Sequence, residues 1–204
     1  MANPSIRVAI VGGGLASASL GNALIHIPQP DVHIFESASE FSRRGIASGL
    51  SRNAQRALKQ LVPSAMKLLR AAGAGSGHWA GTFVCDVGDE DSESSSSAEP
   101  ALVIHRASLL RELLAPIPQE ALHANKEVTF IQSTSTGESI TFSEGQAEDF
   151  DAVIGADGVF SVARRHVMPD SEWAGTPSGF WDCINLMPYD RARAGSGRRV
   201  LRGR

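Results

Sequence analysis

A short apolar run, Ile6 to Val11, stops abruptly at three glycines, Gly12, Gly13 and Gly14. A run of that length, rich in β-branched residues and closed by turn formers, reads as a strand buried on both faces, as parallel strands are. Beyond the glycines Leu20, Leu24 and Ile27 recur at steps of four and three until Pro28 and Pro30, which predicts a helix with one apolar stripe, ended by proline. Val32 to Phe35 is a second short apolar run, closed by Glu36. Strand, turn, helix and strand in such close succession form a βαβ unit with parallel strands.

The glycines sit where a dinucleotide would meet such a unit. Gly12 lets the chain turn tightly into the helix, and Gly14 has no side chain to keep a pyrophosphate from the backbone N–H groups and the positive end of the helix dipole. The third position of the glycine pattern is Ser17, where a hydroxymethyl group is expected to loosen the helix packing slightly or push the helix outward. Glu36, closing the second strand, is placed to accept hydrogen bonds from a ribose diol, and its charge repels a 2′-phosphate. A βα turn without any ligand has the same local pattern, and this half of the chain does not separate FAD from NAD and similar adenosine cofactors.

Further along, Ala57, Leu58, Leu61, Val62, Ala65, Leu68 and Leu69 keep helical spacing over 53–69, with Pro63 breaking the run in two. Gly73, Gly75 and Gly77 lead into an expected strand over 79–87, and the acidic, serine-rich stretch 89–99 reads as a solvated loop. Residues 101–114 predict a short extended piece and then a helix carrying Leu109, Leu110, Leu113 and Leu114. Val128 to Ile131 and Ser139 to Phe142 predict a hairpin or meander through Gly137. Ala152 to Ile154 predicts another parallel strand, ending in Gly155-Ala156-Asp157-Gly158, with a helix from about Ser161. Past Pro169 the periodicity decays, and 191–204, rich in arginine, glycine and alanine, is expected to be a disordered tail.

With 204 residues, 42% hydrophobic and 20% charged, the chain is long enough for a good core. A formal charge of -3 offers no nucleic-acid footprint. No apolar run approaches the roughly 20 residues of a membrane helix, and no cleavable leader is recognisable, so the expected address is cytoplasmic. Cys85 and Cys183 lie far apart with no metal-ligand spacing, and the six histidines are scattered, so neither disulfides nor a metal site is expected. An Asp-Gly turn, or Arg106 after His105, means little alone.

Together the pieces are specific. Val8 to Gly14 with Glu36, Gly49-Leu50-Ser51-Arg52-Asn53-Ala54 leading a helix, His105-Arg106 with Leu109 to Leu114, and Val153 to Gly158 with Ser161, Arg164 and Arg165 resemble the FAD-dependent monooxygenases of the aromatic hydroxylase type. That group includes salicylate and para-hydroxybenzoate hydroxylases, and the likeness is greatest to its fungal secondary-metabolism branch. The resemblance runs over about 6–168.

The resemblance implies an α/β fold, a Rossmann-type FAD-binding domain with a parallel sheet interrupted by strands of an incomplete β-sheet substrate domain. The implied division is 1–168 for FAD, with inserted substrate-domain strands around 79–87, and 169–190 as the start of the substrate-domain sheet. It also implies cofactor contacts: Gly12 and Gly14 at the pyrophosphate, Glu36 at the adenosine ribose, Ala47 or Gly49 along the cofactor, Arg106 near its phosphates or ribityl chain, and the Asp157-Gly158 motif. NADPH or NADH would reduce the flavin, and molecular oxygen would then be inserted, as a hydroxyl or epoxide, into an aromatic or polyketide-like small molecule. No side chain need act as a general base, and no catalytic residue is assigned. The chain departs from the family in lacking its second flavin motif, Gly-Asp-Ala-Ala-His or close to it, and in having Arg52 where proline is usual. Two readings follow: a C-terminally truncated monooxygenase, or a non-catalytic remnant that at most binds an adenosine cofactor weakly. An NAD-dependent dehydrogenase would need a catalytic pair that is not recognisable.

Overall fold

The computed structural model describes residues 5–41, 47–76 and 101–169, together with 176, 178, 179 and 191. The expected strand over 79–87, the loop over 89–99, most of 169–190 and all but one residue of 191–204 lie outside the described residues.

The first apolar run is β1 (Ile6–Val11), and the second, extended back to the proline, is β2 (Pro30–Phe35). They pair in parallel, Ile6 opposite Pro30 and Val11 opposite Phe35. On the other side of β1 lies β10 (Ala152–Gly155), also parallel, with Val11 opposite Gly155. A two-residue strand that sequence periodicity does not reveal, β6 (Leu122–His123), extends the sheet beyond β2, giving the order β10-β1-β2-β6.

Pleating sends alternate residues of β1 to opposite faces, and both faces are covered. Val8 and Ile10, with Val32 and Ile34, pack beneath α1 (Leu15–Leu24) and against Ile117 and Ala121. Ala9 and Val11, with Phe35, pack against a meander of β7 (Val128–Ser133), β8 (Glu138–Phe142) and β9 (Ala147–Phe150), and against Ala163 of α5 (Val162–Val167). The meander is antiparallel, in the order β7-β8-β9, as the alternation in its first two strands predicts.

Pro63 divides the middle helical run into α2 (Arg52–Leu61) and α3 (Ala65–Ala71). Together with α4 (Arg106–Leu114), they bury Leu58, Leu68, Leu69, Leu109, Leu110 and Leu113 in a core that includes Ala18 of α1. A small antiparallel sheet, β3-β5-β4, joins this layer: β3 (Ala47–Leu50) and β4 (Gly75–Ser76) flank β5 (Leu102–His105). The molecule is thus α/β, a Rossmann-type parallel sheet interrupted by antiparallel strands.

The buried face of α1 differs from the apolar stripe that the sequence suggests. Ser17, Ala18, Gly21 and Asn22 are buried, while Leu20 and Leu24 are half-buried and Ile27, past the helix end, is 45% exposed. Small residues let the helix lie close to the sheet: a Cβ on Gly21 would stand 2.7 Å from Ile34 Cδ1. Ser17 is fully buried, and its hydroxyl donates to the Gly14 carbonyl at 2.8 Å, so the polar group expected to loosen the packing is satisfied locally. The Asn22 amide donates to the Leu113 carbonyl at 2.8 Å and ties α1 to α4.

Candidate functional site: a glycine turn at the strand ends

Val11, Phe35 and Gly155 lie on one rung of the parallel sheet, and His123 lies opposite Phe35. Backbone bonds continue past the rung: Gly12 N–H donates to Phe35, Ala156 N–H to Val11, and Glu36 N–H to His123, each at 2.8 Å. Gly12, Glu36 and the Ala156-Asp157 pair therefore leave the sheet side by side at its carboxyl edge. The chain passes from β1 to β2 on one side and later to β10 on the other, so the strand order reverses at β1, where open α/β sheets bind ligands.

Each glycine of the turn has its own reason. Gly12 takes φ +106°, which only glycine adopts readily, and a Cβ there would lie 2.5 Å from the Ala156 carbonyl oxygen. Gly13 faces Glu36: its N–H donates to Glu36 Oε2 at 2.7 Å, and a Cβ would overlap that carboxylate. At Gly14 a Cβ would meet only Arg106 Nη2, at 3.8 Å, so the approach to the amino end of α1 is open. Gly14 is the N-cap of α1 and offers no side-chain cap, and the first turn holds no acidic residue. Those N–H groups and the helix dipole thus favour an anion.

Glu36 Oε1 accepts from the Ala38 N–H at 2.8 Å and from the Ser37 hydroxyl at 3.1 Å. With Gly13 on Oε2, three of the roughly four lone-pair sites of the carboxylate are used. The capacity left suits one further hydroxyl donor, not both hydroxyls of a diol. Arg106 opens α4, and its guanidinium lies over Gly14. Ala47 pairs with His105 and Gly49 with Val103, so β3 runs beside the approach to Arg106 with both residues exposed.

The Asp157 backbone lies against Gly12, its Cα 2.9 Å from where a Cβ on that glycine would stand, but the carboxylate turns to its own chain. Asp157 Oδ1 accepts from the Ser161 hydroxyl at 2.6 Å, and Oδ2 from the N–H groups of Val162 at 2.6 Å and Ala163 at 3.2 Å. With the N-cap Ser161, whose hydroxyl accepts from the Arg164 N–H at 2.9 Å, it satisfies the first turn of α5, while Gly158 takes φ +74°.

Sequence reading misses Gly13 as the partner of Glu36, and it misses the 123–126 segment that holds Glu36 from behind. The third consecutive glycine is the signal for the first; a two-residue strand leaves no periodic signal for the second. A cavity of about 360 Å³ between β7 and α5, lined by Phe130, Ile131, Val162, Arg165 and His166, contains none of the glycine-turn residues. Among the described residues no group of three or more His, Cys, Asp or Glu could hold a metal ion, and no helix is long and apolar enough to cross a membrane.

No protein-family model matches the chain. It is similar to the 6-methylsalicylate 1-monooxygenase atA of Aspergillus terreus, 34% identical over 207 residues that cover 94% of this chain and 46% of that protein. It is also similar to the 3-amino-4-hydroxybenzoate 2-monooxygenase of Streptomyces cremeus, 31% identical over 175 residues, 84% of this chain and 44% of that protein. Among solved structures, a salicylate hydroxylase substrate complex shares the fold with a TM-score of 0.59 at 22% identity, over 80% of this chain and 38% of that one. The chain spans about half the length of the curated relatives it matches. Over that length it is homologous to the FAD-dependent monooxygenases of the aromatic hydroxylase type, fungal members included, as its motifs indicate.

Proposed function

We propose that this chain carries the FAD-binding part of a monooxygenase that uses NADPH or NADH and molecular oxygen to hydroxylate or epoxidise an aromatic or polyketide-like small molecule, in secondary metabolism. The observation that carries the reading is the convergence of Gly12, Gly14, Glu36, Arg106 and the Asp157 backbone at one edge of the parallel sheet. The relatives' names supply the reaction class.

The residues present fit such a cofactor. Gly14 leaves room for a diphosphate against the N–H groups of α1, and the Arg106 guanidinium over that glycine adds a positive charge. Glu36 has acceptor capacity for one hydroxyl of the adenosine ribose. Ala47 and Gly49 line the approach beside Arg106, and small side chains there admit a flat cofactor. Bound FAD would supply the redox chemistry, taking reducing equivalents from the nicotinamide and passing them to oxygen. The protein's part is to orient the cofactor and keep water from the reaction.

The division into 1–168 for the cofactor and 169–190 for the start of a substrate sheet belongs to the same proposal. So do a cytoplasmic address and the lack of a nucleic-acid partner, the latter supported by a net charge of -3.

Titration of FAD into the purified chain, followed by flavin fluorescence, tests the reading. The expected result is saturable binding that Glu36→Ala weakens about tenfold to a hundredfold, the size of one lost hydrogen bond to a charged group. The bound flavin absorbance should bleach on adding NADPH or NADH. A chain that takes up no FAD ends this reading, and equal affinity in Glu36→Ala removes Glu36 from the site.

A further inference from the structure

The segment bearing Glu36 is held by residues outside the glycine turn. The Glu36 N–H donates to the His123 carbonyl at 2.8 Å, the Lys126 N–H to the Glu36 carbonyl at 2.8 Å, and the Asn125 N–H to the Ala38 carbonyl at 2.7 Å, with Asn125 in the left-handed region at φ 56°. All three bonds depend on where β6 lies, and β6 pairs with β2 over two residues only. So short a ladder is a weak anchor. The His123 side chain adds to it. Its ring stacks on Phe35, with centroids 4.8 Å apart, and on His33, 5.2 Å apart, and its Nε2 lies 2.9 Å from His33 Nδ1.

A hydrogen bond between two imidazole nitrogens needs one of them to lack a proton. One added proton is tolerated when His33 carries it: Nδ1 donates to His123, and the buried His33 Nε2, which has no hydrogen-bond partner, stands 3.4 Å from Asp31 Oδ2. A second proton makes both facing atoms donors and sets two cations ring to ring. Charged groups surround the pair on several sides, and Glu120 lines a cavity with Asp31 and His33; the others lie on three strands and the turn after β6. They are Asp31 on β2, Glu148 on β9, Lys126 after β6, and Arg7 on β1, which lies over the Phe150 ring that meets His33 edge-on. Burial, and after it His33, make His123 harder to protonate than a free histidine; Glu148 opposes this and Lys126 adds to it.

We propose that the His33–His123 pair is a pH-gated strut for Glu36, so that a second proton on the pair loosens β6 and weakens adenosine-cofactor binding at the glycine turn. This makes both histidines positioning residues, acting through Glu36, and it rests on the reading of that turn as the FAD site.

Two measurements on the full chain test the strut and that reading separately. In an NMR titration of the labelled protein from about pH 8 to about pH 5, the Glu36 and Lys126 amide signals should move with the midpoint of the His123 ring, below about 6.5. Amides that ignore the His123 titration overturn the strut, whether or not FAD binds. FAD affinity read by flavin fluorescence should be about fivefold weaker near pH 5.5 than near pH 7.5 in the native chain and equal at both in His123→Phe, which keeps a ring against Phe35. The same pH dependence in both proteins, or a loss in His123→Phe that is uniform across pH while the native chain shows none, overturns gating. Absence of FAD binding at every pH ends the FAD reading instead, and the amide titration then decides the strut.

Discussion

Asp157 shows how a residue at a strand end can turn its carboxylate to its own chain and not toward the neighbouring glycine turn. Its carboxylate accepts from Ser161, Val162 and Ala163, so it fixes the start of α5 and, through it, the backbone that lies against Gly12. Asp157→Ala removes a charged acceptor from two helix N–H groups and a buried hydroxyl, and should lower unfolding free energy by about 1–2 kcal/mol. Asp157→Asn, which keeps one acceptor oxygen, should recover part of that loss. Urea unfolding of the two variants checks this, and native stability in Asp157→Ala would mean that the cap contributes nothing. The sequence places Asp157 at the right strand end but cannot say which way its carboxylate turns, because that depends on Ser161 and α5 folding back onto it. Gly13 and Glu36 are alike in this respect: each is legible alone, whereas the 2.7 Å bond between them follows from the parallel register of β1 and β2.

At the scale of elements, a segment is legible where it carries several helical turns or an unbroken apolar run, as β10 does in four residues. The break at Pro63 and the leucines of α4 carry enough turns to declare themselves. By contrast β6 is two residues, and β9, Ala-Glu-Asp-Phe, is too polar to show alternation. The buried face of α1 departs from its leucine stripe because close packing on a sheet favours small residues. Gly21 tests that account by size. A Cβ there would stand 2.7 Å from Ile34 Cδ1 and 3.0 Å from Ile117 Cδ1. Both are ends of flexible side chains, and alanine gains up to about 1 kcal/mol of helix propensity over glycine. Gly21→Ala should therefore stay within about 1 kcal/mol of the native chain, whereas Gly21→Leu should lose about 1–3 kcal/mol by overpacking. Thermal unfolding of the pair distinguishes this from an outward-facing position, where both substitutions would be harmless.

Across the whole molecule, the parallel sheet is held between a helical layer and the β7-β8-β9 meander, and the second contact is largely aromatic. Phe35 lies tilted on Phe142 at 5.1 Å, and Phe150 meets both Phe35 and His33 edge-on, at 5.7 Å and 5.8 Å. None of this was readable from sequence, since His33 and His123 are 90 residues apart and a lone histidine on a strand says nothing about its partner. The layer contact has a consequence for stability. Burial and the neighbouring His33 lower the pKa of His123 in the folded state below its ordinary 6.5, so the unfolded chain binds a proton more readily than the folded one. The stability that depends on neutral His123 is thus fully present above about pH 6.5 and is lost as pH falls through the lower folded value. Denaturant unfolding between about pH 7.5 and about pH 5 should show unfolding free energy falling with acidity before the carboxylates titrate, and His123→Phe should flatten that part of the curve. If the native chain keeps constant stability across the window, the neutral imidazole is not what joins the meander to the sheet, and the phenylalanines alone hold the two layers together.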